Sequence, residues 1–205
     1  MYNFTVIMGL VDFIPVILFG FSMVLLLQDL HSRMSKRAFT LFSAGMVNIF
    51  IAGFLKALWK TLYAAGICDF QVLNTVFLPL QSLGFLMAGI GLILALSRKK
   101  SAAMAVAPPV VSGTFAFIGM MVAGLGAICA CLSVLAVKMK KKGLVAVFAL
   151  AFVVYMGMGY MSSQDSTSAV VNWIEQGINC AGQIILLAGV YSLHKAGLAE
   201  FDWRK

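Results

Sequence analysis

Long apolar runs separated by short polar connections organise this chain of 205 residues. A helix that crosses a membrane needs roughly 20 apolar residues, and clear runs of about that length lie at 6–27, 38–63, 72–97, 144–162 and 169–193. One more apolar region, 101–137, has room for one crossing or for two short ones. The pattern therefore predicts an all-α, polytopic transmembrane helix bundle that forms a single integral membrane domain over residues 1–205.

The composition indicates that the protein lies in a lipid bilayer, and it argues against nucleic acid as a partner. Hydrophobic residues make up 62% of the chain and charged residues only 11%, whereas about a quarter of a soluble domain is charged. The net charge of +8 is concentrated in short clusters between apolar runs, as in membrane proteins, so we expect a lipid bilayer and no nucleic acid as partner. The first run has no basic segment before it, which predicts a retained helix rather than a signal peptide.

Charged residues in the connections indicate how the chain is oriented. Every Lys and Arg except Lys56 and Lys60 lies in a connection or in the C-terminal tail. If region 101–137 crosses twice, all of these residues lie on one side of the membrane, and Asp69 and Asp165 lie on the other. Basic residues mark cytoplasmic connections. We therefore predict seven segments in a cell inner (plasma) membrane, with the N-terminus outside and the C-terminus in the cytoplasm.

The second crossing needs a turn near Gly119, because two crossings of about 18 residues are close to the lower limit of length. The alternative is six segments, with 101–112 lying on the membrane surface and the basic residues divided almost equally between the two sides. The seven-segment prediction divides the chain into a first three-helix unit (1–100), a linker segment (101–118) and a second three-helix unit (119–205).

A faint internal repeat agrees with this 3+1+3 plan. The third segment contains Asn74, Gln81 and Gly84, and the last segment contains Asn172, Asn179 and Gly182 at the same relative positions. Two three-helix units related in this way face the same direction only if a linker crosses the membrane between them. The repeat and the basic residues therefore favour the same arrangement.

Ionisable side chains within the predicted crossings are the first candidates for a functional site. They are Asp12, Lys56, Lys60 and Glu175, and each costs roughly 2.5–3.5 kcal/mol on membrane-insertion scales, so such groups usually face the protein interior and have a function. In the seven-segment topology all of them lie in the outer third of the bilayer, at the depth of Gln81. We predict that they line a polar cavity open to the outside.

Amide side chains extend these polar faces along two segments. They are Asn74 and Gln81 on the third segment and Asn172, Asn179 and Gln183 on the last. Spacings of three, four or seven residues place them on one face of each helix, and on the last helix this face includes Glu175. Together with the ionisable residues they form the candidate substrate-binding set.

Structural roles account for some of the same residues without a solute. Amides hydrogen-bond neighbouring helices in membranes, the ammonium of Lys60 can reach the lipid headgroups, and Asp12 can form a structural ion pair with Lys56. Glu175 is the hardest to explain in this way, because it lies among amides with Lys56 or Lys60 as its candidate partner.

Proline and glycine residues indicate where helices bend and where they approach one another. Pro15 lacks the amide hydrogen of the helical ladder, so we expect a free backbone carbonyl near Asp12. Glycines in membrane helices favour close packing. Those expected to do so are Gly84, Gly89, Gly91, Gly119, Gly124, Gly126, Gly157, Gly159, Gly182 and Gly189.

Catalytic and metal-binding signatures are missing from the sequence. No HExxH, P-loop or GxSxG pattern occurs, and these are the motifs of common hydrolases and nucleotide-binding proteins. His31 and His194 are predicted at helix ends, far from any acid at depth, and the cysteines lack the spacing of a metal site. We therefore expect no catalytic residue, no metal site and no cofactor.

The leading functional hypothesis is a small membrane transporter or permease component. A charged site between two related units is the usual plan of such proteins, and lysines beside amides suit an anionic or zwitterionic small solute. An alternative is a membrane sensor or accessory subunit that binds a ligand, a membrane protein partner or a second copy of the chain. A third is an intramembrane enzyme that acts on lipid through its two acids.

Overall fold

The computed structural model describes residues 4–97, 113–161 and 168–203, and within these ranges the chain is all-helical without a strand. The helices are α1 (Val6–Val11), α2 (Phe13–His31), α3 (Lys36–Ala64), α4 (Gln71–Thr75), α5 (Phe77–Leu96), α6 (Thr114–Lys138), α7 (Gly143–Met161) and α8 (Ala169–Lys195). Five spans, with α1–α2 and α4–α5 each counted as one, are long and apolar enough to cross a membrane, and α7 is a shorter apolar helix. The predicted helical membrane bundle is confirmed.

Local sequence explains how several helices begin and end. The Ser35 hydroxyl accepts a hydrogen bond from the Ala38 amide at the start of α3, and such a bond satisfies one of the unpaired amides of a helix start. Just after α6, Lys140 has a φ of 59°. This left-handed conformation commonly ends a helix, and it turns the chain into α7.

Helices α2 and α8 run in the same direction. Near their starts, the side chain of Gln176 on α8 reaches Asp12, which lies between α1 and α2. Near their ends, His194 on α8 reaches Asp29 on α2. The first and last long spans of the chain are therefore parallel neighbours, although most of the sequence separates them.

Helices α5 and α6 are also parallel. Gly124 of α6 packs on the backbone of Phe85 near the middle of both helices. Toward their ends, Ala95 of α5 and Lys138 of α6 both contact Trp203. The connection between them, 98–112, lies outside the described residues. The seven-segment prediction requires these two helices to run in the same direction, as they do.

Helices α3 and α7 run opposite to their neighbours. Gly91 near the end of α5 packs on Phe42 near the start of α3. Gly189 near the end of α8 likewise packs on Phe148 near the start of α7. These two helices therefore begin where α2, α5, α6 and α8 end.

The long helices close into a ring through their contacts. Helix α2 packs on α3, α3 on α5, α5 on α6, α6 on α7, α7 on α8, and α8 returns to α2. The end at which α2, α5, α6 and α8 finish is called the basic end here, because it carries Lys36, Arg37, Lys138, Lys140, Lys141, Lys142 and Lys195. The opposite end, where Asp69 lies between α3 and α4, is called the distal end.

The turn expected near Gly119 does not form. Helix α6 runs without interruption from Thr114 to Lys138, and residues 114–118 of the predicted linker segment are its first turns. A turn at this depth would leave backbone polar groups without partners, whereas a continuous helix satisfies them internally. The remainder of the predicted linker, apart from Gly113, lies outside the described residues.

Some of the predicted glycines mediate close packing and others do not. A methyl group built at Gly84, Gly89 or Gly91 would lie 2.7 to 2.9 Å from atoms of a neighbouring helix. A methyl group at Gly119 or Gly157 would meet nothing within 4 Å. The expectation of close packing is wrong at these two positions, because their helix faces point away from the neighbouring helices.

The apolar core fills the half of the bundle nearest the basic end. Its most buried side chains, each at most 1% exposed, include Leu30, Phe42, Leu92, Leu132 and Leu193. On every helix of the ring, the buried core residues lie at the middle or toward the basic end. The distal half also holds buried apolar side chains, among them Met8, Ala57 and Trp59, but the candidate polar residues lie mainly there.

Candidate functional site

A buried ion pair lies in the distal half of the bundle. The carboxylate of Asp12, between α1 and α2, lies 2.9 Å from the ammonium of Lys60 on α3, and their side chains are 16% and 6% exposed. The ammonium of Lys60 therefore points to an acid within the protein and not to the lipid headgroups. The partner of Asp12 in the structure is Lys60 rather than Lys56.

Gln176 is the third member of this network, and the sequence analysis missed it. Its side-chain amide donates to the carbonyl of Met8 at 2.8 Å and to the second carboxylate oxygen of Asp12. Gln176 lies four residues after Asn172 and seven before Gln183. These spacings place it on the same face of α8 as those two amides, so the sequence could have identified it.

The interruption between α1 and α2 makes this network possible. The helix breaks at Asp12, three residues before Pro15, and resumes at Phe13. The Met8 carbonyl near the break accepts the hydrogen bond from Gln176. The same carbonyl also accepts from the backbone amide of Asp12 at 3.2 Å, so it is not a carbonyl freed by Pro15, and that expectation stays a prediction.

Aromatic rings cover the ion pair on its distal side. The ammonium of Lys60 lies 4.8 Å from the ring centre of Phe4, close enough for a cation–π contact. Phe4 packs edge-on against Trp59 and Tyr63, at 5.9 and 6.0 Å. The indole of Trp59 donates to Asp69 at 3.0 Å, which ties this aromatic cluster to the connection between α3 and α4.

Lys56 and Glu175 lie beside the ion pair. Unlike Asp12 and Lys60, neither has an ionic partner among the described residues. Both are half-buried, on α3 and α8 respectively. The ammonium of Lys56 lies 4.2 Å from the ring centre of Phe77. The structure therefore shows the predicted meeting of charges for Asp12 and Lys60, and a shared site with Lys56 and Glu175 stays a prediction.

The predicted amides are distributed along the same helices with different contacts. Asn172 is 3% exposed and donates to the Ser168 carbonyl at 2.9 Å. Gln183 is half-buried, and its amide oxygen is fully buried with no hydrogen-bond donor among the described residues. Half-buried positions are also observed for Asn74, Gln81 and Asn179. Their role as solute ligands remains a prediction.

A further buried acid lies near the basic end. Asp29 of α2 is 1% exposed, and its carboxylate lies 2.9 Å from Nδ1 of His194 on α8. The sequence analysis missed this pair, because it considered for His194 only the acids at membrane depth, Asp12 and Glu175. The parallel directions of α2 and α8 bring their last turns together, and both residues follow apolar runs that end on the same side.

The arrangement joins a closed charge pair to an open one. Asp12 and Lys60 satisfy each other, whereas Lys56 and Glu175 present a cation and an anion from two different helices. Charged groups within a membrane usually pair or bind a ligand; Lys56 and Glu175, called the open pair here, form no ion pair among the described residues.

These features define a multi-pass α-helical membrane protein with a partly paired charge cluster in one half of its bundle. Comparison of the chain with models of protein families, with curated proteins and with solved structures finds no match.

Proposed function

We propose that this protein is a small transporter or permease component for an anionic or zwitterionic solute, which binds in the distal half of the bundle. The observation that carries the proposal is the uneven distribution of polar side chains between the two halves. Apolar side chains fill the basic half, whereas Lys56 and Glu175 lie half-buried in the distal half without ionic partners among the described residues.

Electrostatics indicates which groups of a solute would bind at each residue. A charge held away from water is costly unless an opposite charge compensates it. The Lys56 ammonium would bind a carboxylate or another anionic group of the solute, and the Glu175 carboxylate would bind a cationic group. Binding would replace water around two charges that the fold has already brought together.

The proposed topology has seven segments, with the basic end in the cytoplasm and the distal end outside the plasma membrane. The parallel directions of α5 and α6 support it, because α5 ends at the basic end and α6 begins at the distal end. The ring also supports two related units, α2–α3–α5 and α6–α7–α8, since their corresponding helices run in the same directions. Such parallel repeats are known in transporters.

Transport is tested with purified protein in liposomes and a panel of labelled small zwitterions and anions. Each amino acid in the panel is paired with its N-acetyl derivative, which is only anionic, and its methyl ester, which is only cationic. We expect accumulation of at least one zwitterion or anion and of no ester. Lys56→Gln is expected to abolish uptake, because the solute anion loses its cation.

Controls separate the site from the general charge of the protein. Lys195→Gln removes a lysine of the basic end and should leave uptake unchanged. Uptake that persists in the Lys56→Gln/Glu175→Gln double variant would contradict the proposed site. Absence of uptake across the panel, together with a stoichiometric protein partner in native membranes, would instead favour a sensor or accessory subunit.

The orientation is tested by labelling single cysteines in whole cells with a membrane-impermeant thiol reagent. The background lacks Cys68, Cys129, Cys131 and Cys180, and the probes are Lys140→Cys at the basic end and Ile67→Cys, at a site 70% exposed, at the distal end. We expect Ile67→Cys to react in intact cells and Lys140→Cys only after the cells are opened, because basic connections remain in the cytoplasm. The reverse pattern would overturn the proposed sidedness.

A further inference from the structure

The chain turns sharply after α8 and continues across the basic end of the bundle. Gly197 has a φ of +84°, and the amides of Gly197 and Leu198 donate to the carbonyls of His194 and Leu193. This is the hydrogen-bond pattern of a helix that ends at a glycine. The segment that follows the turn, Ala196–Trp203, is called the C-terminal strap here.

Apolar side chains anchor the strap at both of its ends. Leu198 is 0% exposed and Trp203 is 3% exposed, and both belong to the apolar core. Residues near the end of a chain are usually poorly ordered unless they are tied down. The burial of these two side chains shows that the strap is a packed part of the fold.

Polar contacts attach the strap to three other helix ends. The guanidinium of Arg33, just after α2, donates to the Ala199 carbonyl. The ammonium of Lys138 at the end of α6 donates to the Trp203 carbonyl at 2.6 Å. The Trp203 indole donates to the Ala95 carbonyl of α5 at 3.4 Å.

These attachments coincide with the boundaries between the two three-helix units. In the ring, α2–α3–α5 contacts α6–α7–α8 along two seams, one between α2 and α8 and the other between α5 and α6. The strap starts at the end of α8, passes the end of α2, and finishes at the ends of α5 and α6. It therefore bridges both seams at the basic end.

We infer that the C-terminal strap is the closure of the bundle at its basic end, and that its release lets the two units separate there. The inference rests on the proposed function, because a closure is required only where a solute passes. Rocking of one unit against the other is a common way to open a transporter. A strap that holds both seams opposes that motion until its anchors leave the core.

The inference is tested by the accessibility of a cysteine beneath the strap, which requires no solute. The probe is Ala95→Cys, at a position 8% exposed, in the cysteine-free protein in nanodiscs, and the reagent is a charged, water-soluble thiosulfonate. With the strap intact we expect slow labelling. Trp203→Ala is expected to raise the labelling rate about tenfold or more, because removing an anchor favours local opening.

Matched variants distinguish release of the strap from general unfolding. Lys138→Met removes one attachment without making a cavity and should raise the rate in the same direction. Glu200→Ala, within the strap, is expected to leave the rate unchanged. The comparison probe is Ala57→Cys, in the distal half and 1% exposed, which should stay protected in every variant.

Each result has a defined meaning. Faster labelling at Ala95→Cys with continued protection at Ala57→Cys supports the closure. Unchanged labelling at Ala95→Cys in both Trp203→Ala and Lys138→Met would overturn the closure. Equal exposure of both probes would overturn it as well, because the strap would then unfold together with the whole protein. A failure of the uptake experiment with a positive labelling result would reject the transport proposal and not the closure.

Discussion

Asp12→Asn is expected to lower the free energy of unfolding by about 3 kcal/mol, the cost typical of removing one partner from a buried ion pair. The variant keeps the shape of the side chain but leaves the ammonium of Lys60, whose side chain is 6% exposed, without a counter-charge. It also removes the carboxylate that accepts from Gln176. The measurement is the unfolding free energy in mixed detergent micelles.

A double-mutant cycle makes this prediction specific. Lys60→Gln alone should destabilise the protein to a similar extent, because it leaves the Asp12 carboxylate buried and unpaired. The double variant Asp12→Asn/Lys60→Gln should recover most of the loss, since neither buried charge remains. Lys56→Gln is the matched control on the same helix and should cost little, because Lys56 has no ionic partner among the described residues. A loss as large as that of Lys60→Gln would contradict the division into a closed pair and an open pair.

The second large effect is expected at the contact between α5 and α6. A methyl group at Gly124 would overlap the backbone carbonyl of Phe85 and the amide of Leu86. Because the overlap is with backbone atoms, no side chain can move aside to relieve it. Gly124→Ala is therefore expected to destabilise the protein by about 1–3 kcal/mol, as overpacked cores do.

Gly119→Ala is the matched control for this prediction, on the same helix. Position 119 has no neighbouring atom within 4 Å of an added methyl group, and Ala favours a helix over Gly by about 0.5–1 kcal/mol. We expect this variant to be neutral or slightly more stable by thermal unfolding. Equal losses in the two variants would show that α6 does not pack on α5 through Gly124.

The closed and open charge pairs also differ in what they contribute to the molecule. Asp12, Lys60 and Gln176 connect α1–α2, α3 and α8, so they stabilise the distal end of the seam between α2 and α8. The strap stabilises the opposite end of the same seam. Lys56 and Glu175 form no ion pair among the described residues, and they are the residues at which we propose that a solute binds.

Several parts of the fold followed from the sequence because they depend on local chemistry. Apolar length identifies a membrane helix, since lipid offers no hydrogen bonds to an open backbone. The cost of charge in a bilayer predicted that ionisable residues within the spans would face the protein interior, as Asp12 and Lys60 do. These properties depend on few neighbours, so they can be read from the chain alone.

Other predictions failed where several helices act together. A glycine within an apolar run can form a turn, a close helix contact or a lipid-facing position. For Gly119, only its neighbours in the folded protein distinguish these three cases. The pair of His194 and Asp29 was missed because its two residues belong to helices that are distant in sequence. The concentration of apolar packing in the basic half likewise results from the ring of contacts and not from any single segment.

The sequence by itself determined that this is a helical membrane protein, and it singled out Asp12 and Lys60 among the residues of a polar cluster. Only the tertiary structure decided how they pair. Adjacent residues on a helix point about 100° apart, so the rotation of α8 about its own axis determines whether Glu175 or Gln176 faces Asp12. That rotation is set by the packing of α8 on α2 and α7. The packing of α3 on α1 and α2 likewise decides that Asp12 meets Lys60 rather than Lys56.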